Sequence, residues 1–579
     1  MLQYRRFFFA ALLAVLLPGV GWSTDNLTIS VEGVGAELQE NILARLRINV
    51  YSQDEELSTA EILRLHRLSE DDIKSALAPF GYYSAEITTS LTKTETGWAA
   101  YYQIDPGPPV IVGLVSLSVS GPGVESFDLE GVQSIALKEG DILDQRIYEQ
   151  EKKRIIREAI SQGYLDARFR RNEILVHREA LTADIFLDLE PGARFFFGEI
   201  SADQDIINDD LFSRFIEFDS DDYFSARRLQ ILQRDLYRSD YFSSVIIEGD
   251  TANPVDSRVP VTIAVEPQQA YNRYSFGLGY STDTLAYARV EWLNRLLNKK
   301  GHNLFSSLMF GERERYGVLN YRIPVLDPRY NTFVGSGMWR YETWDGTVTE
   351  LFSVGTLLEY STPEHYFGIS LEALDEQYKV GDTKGESQLL IPGVKWSWAL
   401  ADDVVTTTHG VRASIDLTAA DDNLASDVTF IKLLAEGKAI ISPLEQWRII
   451  GRGAVGTIVV DSIDDLPPSI RFYAGGQKSV RGYQYRTLGP KDSSGTVIGG
   501  KFTLTGGIEL ERQVRENWRA VIFYDAGNAM DDLGVDLAHG IGAGVGLSLP
   551  FGQIRLEGAY PLNDEGEAQY VYLSVGADL

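Results

Sequence analysis

The segment Val480-Arg481-Gly482-Tyr483 lies in a long stretch rich in glycine and polar residues, between runs of residues that alternate as in β-strands. If this segment folds inward, its arginine needs a carboxylate partner, because a buried charge without one is costly. The next two predicted strands supply Glu509 and Asp525. We therefore predict that Arg481 lies inside the fold, within ion-pair distance of Asp525 or Glu509.

The chain from about Tyr271 to its end follows a period of two residues. In the first such run, small or polar residues lie on one face, and the other face holds Tyr274, Phe276, Leu278 and Tyr280. This alternation is typical of membrane barrels, which face lipid outside and water inside. Counting the runs between turn signals predicts about 16 antiparallel strands. A water-soluble β-sandwich is the alternative, but a lone sandwich of about 300 residues with aromatic residues along one strand face is uncommon.

The connections between these runs alternate in length. Breaks near Pro363 and Pro443 look short, whereas long ones are predicted around Gly381, Asp422, residues 461–500 and residues 528–540. Bacterial barrels keep short turns on the periplasmic side and long loops outside. The first strand then runs outward, and everything before it lies in the periplasm.

The region from about Asn26 to Gln268 contains an internal repeat with three copies and a period of about 80 residues. Each copy has a helix, an aromatic-bearing turn and two strands, and the turns lie at residues 80–85, 162–167 and 240–244. Start signals predict Ser69, Asp144 and Ser225 as N-caps of the helices. Three unrelated α+β domains with common helix-stop residues are the alternative.

Composition excludes several classes of function. The net charge of −30 would repel nucleic acid, and there is no cysteine to form a disulfide. Residues 1–23 combine a basic start with a short apolar run, which predicts a secretory signal peptide. The six histidines are scattered and the acidic pairs lie in turns, so we expect no metal and no cofactor.

Together these features resemble the outer-membrane assembly factors built from POTRA modules and a sixteen-stranded barrel. The resemblance covers essentially the whole mature chain. Three modules are most similar to the TamA branch of that family, since the BamA branch carries five and the two-partner secretion transporters carry two. The implied fold class is α+β POTRA repeats followed by an all-β transmembrane barrel. The implied limits are residues 25–106, 107–191 and 192–267 for the modules and 268–579 for the barrel.

The resemblance implies a role for the opening segment. In the family an outer loop folds back into the lumen, and its Arg-Gly motif is held by acidic residues of the inner wall. Arg481 would be that arginine, with Val480, Gly482 and Tyr483 completing the motif and Asp525 and Glu509 as wall residues. One departure is that family C-termini often end on an aromatic residue, whereas this chain ends on Leu579.

A lateral seam is expected where the first and last strands of the barrel meet. Unpaired backbone groups there would offer hydrogen bonds to an incoming strand. Glycines weaken pairing and side-chain packing in strands, and the residues expected at the seam are Gly277, Gly279, Ser574, Gly576 and Leu579. The alternative is that these glycines only relieve crowding in the lumen.

The function implied by the resemblance is non-enzymatic insertion or translocation of outer-membrane proteins, autotransporters among them. The implied location is the outer membrane, with the POTRA modules in the periplasm. The implied partners are unfolded outer-membrane protein clients, outer-membrane lipid and an inner-membrane-anchored, periplasm-spanning protein similar to TamB. A BamA-like or two-partner-secretion-like transporter, an outer-membrane enzyme such as a barrel lipase, and a passive porin are the alternatives.

Overall fold

The structure is a computed structural model, and it describes residues 26–54, 57–95, 97–128, 132, 134–281, 285–403, 405–534, 536–549, 552–563 and 570–576. The predicted signal peptide at residues 1–23 and the terminal Leu579 lie outside the described residues. The chain divides into two compact units, and the boundary passes through the predicted third module, because residues 201–218, 228–248 and 262 onward belong to the second unit. None of the helices in the described residues is long and apolar enough to cross a membrane.

Three small sheets follow one another at the N-terminal end. The first module contains β1 (Asn26–Glu32), α1 (Ala36–Arg45), α2 (Arg47–Asp54), α3 (Thr59–Leu77), β2 (Glu86–Thr94) and β3 (Gly97–Asp105). The second contains β4 (Ile111–Val119), α4 (Gln145–Ser161), β5 (Arg168–His177) and β6 (Thr182–Glu190). The third contains β7 (Phe196–Ala202), α5 (Asp209–Ser213), α6 (Ala226–Arg238), β8 (Phe242–Gly249) and β9 (Arg258–Pro267). The sheet orders β1-β3-β2, β4-β6-β5 and β7-β9-β8 all place the last strand in the middle, so the three units share one sheet order.

The predicted helix starts meet different outcomes. Asp144 caps α4, because its carboxylate accepts a hydrogen bond from the backbone N–H of Arg146 at 2.8 Å. The prediction for Ser69 was wrong. Helix α3 begins earlier, at a capping box in which Ser58 and Glu61 satisfy each other's backbone N–H groups. Ser69 is buried inside α3, and its hydroxyl donates to the carbonyl oxygen of Leu65 at 3.0 Å.

Sixteen antiparallel strands form one sheet in which each strand pairs with its neighbours in the sequence. This confirms the predicted barrel. The strands are β10 (Asn272–Ser281), β11 (Leu285–Asn294), β12 (Asn303–Gly311), β13 (Glu314–Pro324), β14 (Asn331–Trp344), β15 (Thr347–Ser361), β16 (His365–Val380), β17 (Thr383–Ala401), β18 (Gly410–Ala420), β19 (Phe430–Leu444), β20 (Trp447–Val459), β21 (Phe502–Arg515), β22 (Trp518–Met530), β23 (Ala538–Leu549), β24 (Gly552–Pro561) and β25 (Tyr570–Gly576).

Side-chain exposure follows the predicted alternation. In β10, Phe276 and Leu278 are 79% and 89% exposed, as expected for a face that contacts lipid. In β22, Ile522 and Tyr524 are exposed whereas Phe523 is buried. The inner and outer faces of the wall are therefore those that the sequence predicts.

One prediction about the connections was wrong. The loop at Gly381 is a two-residue turn, because β16 and β17 extend as one long hairpin of 16 and 19 residues instead of giving way to a loop. The short break predicted near Pro443 is confirmed, as a two-residue turn at Glu445 and Gln446. Pro443 lies inside β19, where the ladder shifts register between Ile441 and Leu444. A proline cannot donate a ladder hydrogen bond, and it is tolerated at such an irregularity.

The second unit also joins the region around α5 and α6 to the turns between β11 and β12 and between β13 and β14. Arg329, in the turn after β13, donates to Asp327 at 2.8 Å and also pairs with Glu217. This hydrogen bond from Arg329 lowers the pKa of Glu217. Tyr241 donates to the carbonyl oxygen of Gly301 at 2.9 Å, and burial raises the pKa of this tyrosine to about 12. These contacts hold the part of the third module that belongs to the second unit against the barrel.

Candidate functional site: the inner loop and the seam

The longest connection in the described barrel, residues 460–501 between β20 and β21, folds into the lumen and is called the inner loop below. Its backbone is braced by isolated bridges that pair Phe472 with Gly500 and Ala474 with Leu488. Val480 and Tyr483 are 0% and 2% exposed. Because these side chains are buried, the inner loop is part of the barrel interior.

Arg481 makes a buried contact between this loop and the wall. Its Nε and Nη2 atoms donate to the two carboxylate oxygens of Asp525 at 2.7 and 2.9 Å. The backbone N–H of Arg481 also donates to Asp525, at 3.1 Å. Both residues are buried, at 2% and 0% exposure. This bidentate geometry is the strong form of an arginine–carboxylate pair, since it adds direction to charge.

Two further carboxylates and an aromatic ring complete the surroundings of this arginine. Glu509 lies 2.8 Å from Nη2 of Arg481, and Glu557 lies 3.2 Å from Nη1. The guanidinium carbon stands 3.5 Å from the ring centroid of Phe523, close enough for a cation–π contact. Residues on β21, β22 and β24 therefore hold one side chain of the loop.

The carboxylates around Arg481 are balanced by other arginines of the wall. Arg452 donates to Asp525 at 2.9 Å, and it also donates to the carbonyl oxygens of Lys478 and Ser479 in the loop, at 2.6 and 3.0 Å. Arg555 lies 2.6 Å from Glu509 and 2.9 Å from Glu557. Arg448 donates to Glu511 at 2.8 Å. Four arginines thus meet four carboxylates, so the cluster carries no net charge and avoids the cost of an unpaired buried ion.

Two glycines make room for the turn at Arg481. Gly482 has φ of +99°, a left-handed conformation that residues with a Cβ rarely adopt. Gly540, on β23, faces the loop so closely that a Cβ built on it would lie 1.9 Å from the carbonyl oxygen of Arg481. The loop can reach its partners only because these positions have no side chain.

We expect Gly540→Ala to push the inner loop out of its seat, because the new methyl group would overlap a backbone carbonyl that cannot rotate away. Limited trypsin digestion of the folded barrel measures this through cleavage after Arg481 and Arg486. Gly451→Ala on β20 is the matched control, since a Cβ there meets nothing within 4 Å. Equal cleavage of the two variants would contradict the close approach.

Tyr572 is a site residue that the sequence prediction missed. It lies on β25, is completely buried, and accepts a hydrogen bond from the N–H of Gly482 at 3.2 Å. Its hydroxyl donates to the carbonyl oxygen of Tyr483, also at 3.2 Å. The alternation with Val571 and Leu573, which are exposed, could have identified Tyr572 as an inward-facing side chain. The loop motif therefore contacts the last strand directly.

The seam lies between β10 and β25, the two ends of the strand order. The strand order of the sheet starts with β10 and ends with β25. Within the described residues of these two strands, 272–281 and 570–576, no ladder of backbone hydrogen bonds joins one to the other. Ser574 pairs with Arg555 on β24, and Gly576 pairs with Gln553. The last strand is thus held on one side by β24.

The two glycines of β10 differ in their surroundings. A Cβ on Gly279 would lie 2.3 Å from the ring of Tyr287 on β11, so this glycine accommodates the tyrosine. A Cβ on Gly277 would come no closer than 4.0 Å to Arg289. Packing thus accounts for Gly279, whereas among the described residues only Cβ of Arg289 comes within 4.0 Å of a Cβ built on Gly277.

Two family models match different parts of the chain. Residues 255–578 match the model of the Omp85 superfamily domain, and residues 28–106 match that of the POTRA domain termed TamA domain 1. The chain is 24% identical over 369 residues to the outer membrane protein assembly factor BamA of Nitratidesulfovibrio vulgaris strain Hildenborough. This match covers 60% of the chain and 46% of that protein, so the chain spans about half the length of this curated relative.

Two solved structures are similar to this chain. BamA from Haemophilus ducreyi lacking POTRA domains 1-3 is similar with a TM-score of 0.66 and 14% identity, over 80% of this chain and 100% of that chain. CdiB from Escherichia coli has a TM-score of 0.49 and 13% identity, over 90% of this chain and 99% of that chain. The first of these likenesses supports the fold described above.

Proposed function

Since this chain belongs to the Omp85 superfamily, we propose that it is an outer-membrane factor that inserts or translocates other proteins without being an enzyme. The barrel would lie in the outer membrane with the POTRA modules in the periplasm. Unfolded outer-membrane proteins would be its clients. Within the superfamily we place it in the TamA branch, because its first module matches the POTRA model of that branch.

The observation that carries this proposal is the contrast between the two edges of the sheet. The last strand is held by β24 and, through Tyr572, by the inner loop. The first strand is paired to β11 alone among the described residues. An edge strand presents unpaired N–H and C=O groups, which in lipid cost several kcal/mol each unless another strand satisfies them. The seam is therefore a place where a client strand gains hydrogen bonds.

Insertion can be measured directly. The purified protein is placed in lipid vesicles, a urea-unfolded outer-membrane barrel protein is added, and the protease-resistant, membrane-inserted client is followed over time. We expect faster insertion than in protein-free vesicles. Equal rates in the two kinds of vesicle would refute an insertion function and would leave only the fold.

The N-terminal modules are proposed to bind a periplasm-spanning, inner-membrane-anchored protein similar to TamB. Each small sheet leaves two edge strands, and strand addition to such an edge is a common way of binding an extended segment. In β2 most side chains are exposed, so this edge is open to a partner.

Deleting residues 26–106 should reduce co-purification of such a partner to background while the barrel remains folded, because the deleted module makes its own core. Heat-modifiable migration on gels checks the barrel, and affinity capture checks the partner. Deleting residues 107–191, the second module, is the comparison, because it shortens the N-terminal arm but keeps the first module. Unchanged capture after the first deletion would count against the assignment to that module.

A further inference from the structure

The inner loop has a second anchor at the outer end of the barrel, far from Arg481 along the wall. Arg486 pairs with Glu342 on β14 at 3.2 Å, and Tyr485 donates to the same carboxylate at 3.0 Å. The guanidinium carbon of Arg486 lies 4.3 Å from the ring centroid of Trp344 and 5.5 Å from that of Tyr473. These residues form an aromatic cage with a carboxylate in its wall.

A small hairpin extends this anchor to two outer tips of the barrel. Residues 491–497 pair through a bridge between Lys491 and Val497. Its turn contacts the two-residue turns at Gly346 and Gly381, since a Cβ on Gly346 would lie 3.2 Å from Thr496 and one on Gly381 would lie 2.7 Å from Asp492. We call Arg486 with residues 491–497 the latch.

The two anchors differ in strength. The side chain of Arg481 is 3% exposed and pairs with three carboxylates, whereas that of Arg486 is 24% exposed and pairs with Glu342. Arg486 also has φ of +59°, a left-handed conformation that is unusual for any residue with a side chain. Backbone strain of this kind persists where the surroundings impose it, and it often occurs in switch regions.

The latch therefore ties the hairpins of β14 to β17 to the opposite wall, where Arg481 is bound by β21, β22 and β24. If the seam opens, the sheet uncurls and the distance between these two parts of the wall grows. A link of fixed length across the lumen resists this movement. The weaker of its two ends has to give way first.

We propose that the latch releases from the tips at Gly346 and Gly381 when the seam opens, while Arg481 stays bound, so that Arg486 and Glu342 set how readily the seam opens. This inference rests on the proposed function, because it assigns a restraint to the same seam.

A pair of disulfides tests the latch in a chain without native cysteines. A Cβ on Gly346 would lie 3.9 Å from Cβ of Thr496, and one on Gly489 would lie 3.7 Å from Cβ of Ala529. Both distances suit a disulfide, for which Cβ atoms are about 3.5–4.5 Å apart. Gly346→Cys with Thr496→Cys fixes the tip of the latch, and Gly489→Cys with Ala529→Cys fixes its base to β22. Both pairs replace a glycine of positive φ, which is +77° for Gly346 and +154° for Gly489.

We expect the oxidised tip pair to insert clients no faster than protein-free vesicles and to recover when reduced. The oxidised base pair should remain as active as its reduced form. Activity in the oxidised tip pair would overturn the inference, and so would loss of activity in both pairs, since the whole loop would then have to leave.

A second measurement needs no client. Cysteines at Gly277 and Ser574 are oxidised across the seam, and Arg486→Ala should slow this reaction, because a released latch leaves the seam open more of the time. Lys395→Ala, which removes a half-exposed lumenal pair with Asp416 at 3.6 Å, is the control and should have no effect. An unchanged rate in Arg486→Ala would overturn the latch. If the wild-type protein inserts no client, the proposed function fails, and this oxidation rate alone decides whether the latch exists.

Discussion

Asp525→Ala is expected to destabilise the barrel by about 3–5 kcal/mol, the usual cost of removing one partner of a buried ion pair. Asp525 accepts hydrogen bonds from both the side chain and the backbone of Arg481, and a further one from Arg452. Its loss leaves the buried guanidinium group of Arg481 and the partly buried one of Arg452 short of a carboxylate. The inner loop should loosen, and client insertion should fall with it.

Urea unfolding of the barrel in lipid vesicles, followed by tryptophan fluorescence, measures this effect. Lys395→Ala is the matched control in the lumen, because its pair with Asp416 is half-exposed and such pairs contribute about 0–1 kcal/mol. Asp525→Asn keeps the size of the side chain and separates charge from packing. If the urea midpoints of Asp525→Ala and Lys395→Ala were equal, the Arg481–Asp525 pair would not stabilise the barrel as expected.

The alternation of residues was enough to predict which faces of the strands meet the lumen. It placed Asp525 on the inner face of β22 beside Phe523, and both are buried. The same rule would have predicted Tyr572, whose neighbours on both sides are exposed. Whether a side chain faces the lumen depends on the alternation within its own strand, so it can be predicted from a single sequence.

The rest of the cluster depends on register between strands that are distant in sequence. Glu557 and Arg555 reach Arg481 and Glu509 because β21, β22, β23 and β24 pair with particular offsets. Strand lengths and bulges set those offsets, and the irregularity at Pro443 shows how one residue moves a ladder. The long hairpin at Gly381 was missed because a turn residue does not reveal whether strands continue beyond the membrane.

The second large effect is expected at the seam itself. If a client strand enters between β10 and β25, joining these strands covalently should stop insertion without unfolding the barrel. The structure favours Gly277 for one cysteine, because its Cβ position is open, whereas that of Gly279 is filled by the ring of Tyr287. Ser574 supplies the other cysteine. It shares the inner face of β25 with the buried Tyr572, because Leu573 between them is exposed, and it pairs with Arg555 on β24.

The control joins strands that are already paired. Arg289 is the register partner of Gly277 on β11, and a Cβ on Gly277 would lie 4.0 Å from that of Arg289. Gly277→Cys with Arg289→Cys therefore forms a disulfide of suitable span, about 3.5–4.5 Å between Cβ atoms, that leaves the seam free. Both variants share the cysteine at position 277, and they differ in the strand to which it is joined and in the second residue replaced, Ser574 or Arg289.

The most direct measurement is the rate of client insertion into vesicles by the Gly277→Cys, Ser574→Cys protein, with neighbouring positions scanned until a pair oxidises completely. We predict that the oxidised seam pair inserts clients no faster than protein-free vesicles, that reduction restores the rate, and that the oxidised control pair stays active. Full insertion by a completely cross-linked seam would contradict lateral opening.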